Sequence, residues 1–185
     1  MNKNIIPFAL ILSSLTLAQN TPPPIRHINT TYETLLNNSK KSTLIEKQII
    51  QISKFKNLNF QVITTTDLTT STSEKYLGIS TEFETYDTIS KKTLTVDKTE
   101  LSKLIDALQV LSQKENEKTN GIERKYKFET RSNLEFGAVY NEKNNVWINY
   151  IDYPASFNQK FLIEFSKNEL NDLVKMLKSV LEKLN

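Results

Sequence analysis

The sequence holds one candidate for nucleophilic chemistry. Ser53-Lys54-Phe55-Lys56 matches the Ser-x-x-Lys spacing that puts serine and lysine on one helical face in Ser/Lys hydrolases. The pair can work together only on a helix, because residues three apart on a strand point to opposite faces. Glu82 and Glu84 are the candidates for glycoside hydrolysis, since two carboxylates two positions apart on a strand share a face about 6.5–7 Å apart. Their neighbours Thr81 and Thr85 favour a plain solvated strand face. Asp67, Asp87 and Glu135 are scattered, without the clustering that holds calcium or magnesium.

His27 is the only histidine. It follows three prolines closely, where a base or ligand would lack a rigid shell. With no cysteine either, no Ser-His-Asp triad, thiolate nucleophile, typical zinc site or disulfide framework can be assembled. Three glycines leave little material for a phosphate-cradling loop. These residues predict no enzyme: no catalytic set, no metal site and no cofactor. Two modification patterns remain. Asp87-Thr88-Ile89 fits the Asp-(Ser/Thr)-aliphatic acceptor of bacterial O-glycosylation, and Asn29-Thr30-Thr31 and Asn37-Asn38-Ser39 fit the N-glycan sequon.

One stretch offers recognition chemistry. The run 145–153 is apolar on both parities, with Val146, Ile148 and Tyr150 on one and Trp147, Ile151 and Tyr153 on the other, and Phe157 just beyond. A half-exposed strand alternates with polar residues, so either a second layer covers one face or that face is a contact patch. The expected binding patch is Trp147, Ile151, Tyr153 and Phe157, on the sheet face that carries no helix.

The elements that must position this patch come from an internal repeat. Val96-Asp97-Lys98-Thr99-Glu100-Leu101 leads into Leu104, Ile105 and Leu108, and Phe165-Ser166-Lys167-Asn168-Glu169-Leu170 leads into Leu173, Val174 and Leu177. Each has an N-cap residue, a glutamate three later and an apolar stripe at i, i+3, i+4, i+7. Upstream, Asn57-Leu58-Asn59-Phe60 recurs as Asn133-Leu134-Glu135-Phe136. The two offsets, 69 for the helices and 76 for the strands, are reconciled if the loop at Asp67–Lys75 is longer than its counterpart at Asn141–Asn145. The segment from Leu44 to Phe55 reads as a helix by periodicity. Its repeat partner Arg124–Arg131 alternates as a strand, so residues 48–55 are assigned to a strand, with a helical turn possible at Thr43–Lys47.

The predicted fold is therefore α+β: one antiparallel sheet from two tandem β-β-β-β-α repeats, with two helices packed on one sheet face. Strands are expected at 48–55, 58–66, 75–86 and 91–96, then 123–131, 134–141, 145–153 and 160–165, with helices at 98–113 and 167–184. The first unit covers 47–114, a linker 115–121 and the second unit 122–185, together one domain. Leu134, Phe136, Ala138 and Tyr140 should face the helices.

Residues 1–18 read as a signal peptide. Lys3 is followed by an apolar run too short to span a bilayer, and Thr16-Leu17-Ala18 presents small residues for cleavage after Ala18. Residues 19–46 read as a tether, extended at Pro22-Pro23-Pro24, with a short helix possible after Thr30 and Glu33. No cysteine follows the leader, so no lipid anchor is expected, and no later run is long enough for a membrane span. A net charge of +3, with basic residues scattered rather than striped, argues against nucleic acid as a partner. The functional expectation is an exported, periplasmic or extracellular, non-catalytic binding protein whose partner is an exported or envelope protein. The alternative is an exported structural or envelope-associated protein with no exposed patch, and a hydrolase ranks third.

Overall fold

A computed structural model of the chain describes residues 26–28, 43–85, 88–117, 122–156 and 159–185. The leader, the helix expected after Thr30, both sequons, Asp87 and Phe157 lie outside these residues. The element order is β1 (Arg26–Ile28), β2 (Ile45–Phe55), β3 (Leu58–Asp67), β4 (Thr72–Thr85), β5 (Thr88–Val96), α1 (Lys98–Lys114), β6 (Lys125–Glu129), β7 (Glu135–Asn141), β8 (Val146–Ser156), β9 (Gln159–Phe165) and α2 (Lys167–Lys183). The two repeat-like ββββα units are as expected. β2 is a strand from Ile45 onward, so the helical turn expected at Thr43–Lys47 is not formed, and part of the expected tether, Arg26–Ile28, is strand β1.

The strands form two sheets where one was expected: β1-β5-β4-β3-β2 and β6-β7-β8-β9. β1 lies parallel along β5 and occupies the edge through which β5 would extend the sheet. The units share one core nonetheless. α1 packs on α2 and touches β4, β6 and β7, while α2 touches β8 and β2. Leu58, Phe60, Val62, Leu77 and Ile79 of the first sheet join Leu134, Phe136, Ala138, Ile151 and Ile163 of the second around the helical stripes. No helix among the described residues is long and apolar enough to cross a membrane.

Register relates the units row by row. The row Phe60, Ile79, Leu94 corresponds to Phe136, Ile151, Ile163, pairs separated by 76, 72 and 69 positions. The missing seven residues are not in a loop, which corrects the expected longer connection after Asp67. Both β3–β4 and β7–β8 close around four residues, between Asp67 and Thr72 and between Asn141 and Val146. The loops are chemically alike: Asp67 Oδ1 accepts from the N–H groups of Thr69 and Thr70, and Asn141 Oδ1 from those of Lys143 and Asn144. Each ends in a left-handed residue, Ser71 (φ 55°) or Asn145 (φ 55°). The first unit has longer strands instead. Two extra residues on each of β3 and β4 preserve which side chains face inward. Three more lie along the facing arms of β4 and β5, and a register shift between Pro154 and Ser156 of β8 absorbs the odd one.

The units clasp each other at the helix starts. Asp97 caps α1 by accepting from the Glu100 N–H at 2.8 Å, and Ser166 and Glu169 form a capping box on α2. Lys56, in the β2–β3 turn, pairs with Glu169 of the other unit. Arg131, before β7, pairs with Asp97 and lies 3.5 Å from Glu100, whose carboxylate also accepts the Arg131 N–H at 2.7 Å. Between the units Tyr153 Oη donates to the main-chain carbonyls of Ile79 (3.1 Å) and Lys92 (2.8 Å).

Candidate functional site

The expected patch is placed on the opposite face. Cross-strand pairing sets Trp147 opposite Tyr140 and Ile151 opposite Phe136, so Trp147, Ile151 and Tyr153 share the helix-covered side of the second sheet. Ile151 and Tyr153 are both 0% exposed, and Trp147 is half-buried against the core. The helix-free face instead carries Val146, Ile148, Tyr150 and Leu162, with Val146 and Leu162 exposed. Burial of Tyr153 is reconciled with its hydroxyl by the two carbonyls it reaches, and burial holds this phenol well above its ordinary pKa.

The candidate catalytic residues are occupied elsewhere. Lys56 is held by Glu169, while Ser53 Oγ is buried in β2 without a hydrogen bond. Glu82 is exposed on β4, opposite Lys91. Asp67 shapes a turn. Glu135 accepts from Tyr150 Oη at 2.5 Å and lies 3.5 Å from both Lys125 and Lys127; the tyrosine bond, then the lysines, hold its carboxyl below the ordinary range against desolvation. His27 sits in β1 beside Ile89, and Thr88 begins β5. Among the described residues no group of three or more His, Cys, Asp or Glu side chains could hold a metal ion.

A concave feature lies along β6, two strands from the β8 patch. The stripe Leu101, Leu104, Ile105, Leu108, Leu111 turns α1 onto the sheets, and Ala107 and Val110 run along its flank. Opposite them β6 alternates Tyr126 and Phe128 inward with Lys125, Lys127 and Glu129 outward. A groove of about 290 Å³ opens between them, lined by Ala107, Val110, Leu111, Tyr126 and Phe128 and floored by Phe136. It persists for two reasons: Ala107 is too small to fill it, and β6 is an edge strand with no described strand beyond it to support a covering side chain. Behind the lining, Trp147 stacks on Tyr126 with ring centroids 5.5 Å apart and contacts Tyr140 at 5.3 Å.

Charge stands only at the rim. Lys114 lies 2.6 Å from Glu117, which bonds it and holds its pKa up, and Arg124 approaches Glu117 at 3.7 Å. Lys127 lies 3.3 Å from Glu129 and 3.5 Å from Glu135. The main chain of β6 is itself available. Tyr140 N–H donates to the Arg124 carbonyl and Thr130 N–H to that of Leu134, so the alternate residues Lys125, Lys127 and Glu129 turn their N–H and C=O groups away from β7.

These groove residues were not singled out by sequence. The available signal was Val110, an exposed apolar residue beside the buried stripe, together with the Tyr126/Phe128 alternation. No protein-family model matches the chain, and no curated protein matches it.

Proposed function

We propose that the protein is an exported, non-catalytic binding module that accepts an extended apolar segment of a partner protein along β6. The observation that carries this reading is the coincidence of an apolar groove with an open sheet edge. A strand added beside β6 would bond to the outward main-chain groups of Lys125, Lys127 and Glu129, and would direct alternate side chains into the groove against Val110 and Tyr126. A volume of about 290 Å³ suits one or two such side chains. Export rests on the leader pattern of residues 1–18.

The test is binding of an acetylated, amidated peptide, Lys-Val-Thr-Val-Thr-Val-Lys, read by amide hydrogen exchange and fluorescence anisotropy. Saturable binding should slow exchange at Lys125, Lys127 and Glu129. Val110→Glu, on the exposed flank of α1, should abolish it with the fold intact. Lys127→Pro removes an N–H that bonds to no neighbouring strand, and should also abolish it. If exchange in β6 is unchanged at saturation, or binding survives Val110→Glu, the reading fails in favour of an exported structural protein with no exposed binding site.

A further inference from the structure

The first sheet ends in an edge whose form is the converse of the β6 groove. β2 lies at that edge, with no described strand beyond it. Leu68 N–H donates to the Leu44 carbonyl at 2.9 Å, so residues 44, 46, 48 and 50 bond to β3, and the alternate residues Ile45, Lys47, Ile49 and Gln51 turn their N–H and C=O groups outward. Apolar side chains stand exposed along it: Ile49 is 53% and Ile50 57% exposed, with Leu44 and Leu68 exposed at its start. A long apolar edge is a template for strand pairing, and proteins ordinarily blunt it with charge, proline or a bulge. Here the bulge comes only after Gln51, whose side-chain amide donates to the Ser53 and Phe60 carbonyls, so 45–51 stays open. This stretch projects past the core: every residue from Glu46 to Gln51 is exposed, whereas Ile52 and Phe55 pack on the core.

Resting on the reading of β6 as an acceptor edge, we propose that the segment it accepts is β2 of a second copy of this chain. Charge selects the register. Antiparallel pairing of the outward groups of β2 with those of β6 sets Lys47 opposite residue 125, 127, 129 or 131. Lys125, Lys127 and Arg131 repel it, and only Glu129 attracts it. With Lys47 opposite Glu129, Ile49 falls opposite Lys127, whose aliphatic stem covers it, and Gln51 falls opposite Lys125. Ile50 then stands opposite Tyr126. Ile50 shares its face with Val62 of the core, and Tyr126 faces inward, so this side chain enters the groove against Tyr126 and Val110. The register that satisfies charge is the one that fills the groove. Donor and acceptor are different patches, so the contact is heterologous and builds a closed ring or an open chain of copies.

Sedimentation velocity of the full chain tests this, with two single variants that each disable one side of the contact. The parent should associate as its concentration is raised toward about 100 μM. Ile50→Glu blocks the donor and Val110→Glu the acceptor; both positions are exposed, so each variant should fold and sediment as a monomer. Mixed in equal amounts they should form a 1:1 pair and nothing larger, because one copy then supplies only β2 and the other only β6. Lys47→Glu should weaken association by about fivefold, and Lys47→Glu/Glu129→Lys should restore it. The peptide Lys-Val-Thr-Val-Thr-Val-Lys separates this inference from the reading beneath it, since it should still slow exchange at Lys125, Lys127 and Glu129 in Ile50→Glu. A parent that stays monomeric while Ile50→Glu takes the peptide overturns self-association alone; loss of peptide binding as well overturns the β6 reading and this proposal with it. Association that survives either single variant, a mixture of the two that stays monomeric, or a charge exchange that restores nothing would each overturn the proposal.

Discussion

Replacing Glu115 and Asn149 together by leucine should make the protein more stable. A buried polar group without good partners costs about 1–3 kcal/mol, and here a carboxylate and an amide have only each other, with burial outweighing the amide's pull on the carboxyl. Leu77, the first-unit counterpart of Asn149, and Leu184, the second-unit counterpart of Glu115, are both leucines buried in a close-packed core. The expected gain is about 2–4 kcal/mol at pH 7, which for a chain of this size raises Tm by roughly 5–12 °C. The gain should depend on pH. Burial raises the folded-state pKa of Glu115 above its ordinary value of 4.5. Below that value the carboxyl is protonated in both folded and unfolded states and contributes nothing. As pH rises through the raised value, the native protein must ionise a buried group and loses stability, so the advantage of the double variant grows from pH 4 to pH 7. Asn149→Leu alone should gain less, because it removes the amide that partly offsets the burial of Glu115; the two substitutions are therefore not additive. Urea unfolding of the three proteins at pH 4 and pH 7 measures all of this. A double variant less stable than the parent at pH 7, or a gain equal at both pH values, would refute the reasoning, since it would mean that the contact between the amide and the carboxylate fully offsets their burial or that the carboxyl is not destabilised by it.

Tyr153→Phe removes the hydroxyl shared by the carbonyls of Ile79 and Lys92, and should lower stability by about 1–2 kcal/mol in urea unfolding with little change in shape. Gly137→Ala sets a Cβ 2.5 Å from both the Tyr126 main-chain oxygen and Tyr150 Oη; it should cost about 1–3 kcal/mol, and more than Gly78→Ala, whose Cβ meets only the side chains of Ile63 and Gln61. Thermal unfolding of the two variants ranks them. Glu169 is held down to about 2 by Lys56 first and then by the Ser166 backbone and hydroxyl, so its contribution is fully present above pH 4.5 and is lost as pH falls toward 2. In Lys56→Met the NMR titration of the Glu169 carboxyl should move up toward 4.5, and the acid-side fall in stability should become shallower.

The fold was legible because its signals were local and redundant. The caps Asp97/Glu100 and Ser166/Glu169 fixed both helix starts, and α1 and α2 begin where those residues place them. Only the repeat made β2 a strand, since the apolar spacing of Leu44, Ile49, Ile52 and Phe55 suits a helix equally well. The division into two sheets was not legible, for it depends on β1 occupying the β5 edge from a segment whose composition suggests only a linker. The extra seven residues of the first unit were misplaced for a related reason. Loops tolerate length changes more readily than strands, but adding residues in pairs to both arms of a hairpin leaves its inward pattern intact, so sequence alone does not separate the two solutions.

The site was misread through a single parity. Both faces of β8 are apolar in sequence, so composition could not decide which one the helices cover. The decision lay in the hairpin. Once Asn141 and Asn145 are recognised as the counterparts of Asp67 and Ser71, a four-residue loop is required, Trp147 stands opposite Tyr140, and the expected patch must turn inward with the residues already assigned to the helices. The same register makes Asn149 conspicuous. On the row Trp147, Ile151, Tyr153 it is a fully buried amide whose polar neighbour is the Glu115 carboxylate, whereas Tyr153 in the same row reaches two carbonyls. A core under selection for stability alone would carry leucine there, as the first unit does at Leu77. Exchanging the Glu115 and Asn149 pair for leucine therefore measures directly how much stability the chain gives up by keeping a carboxylate and an amide there.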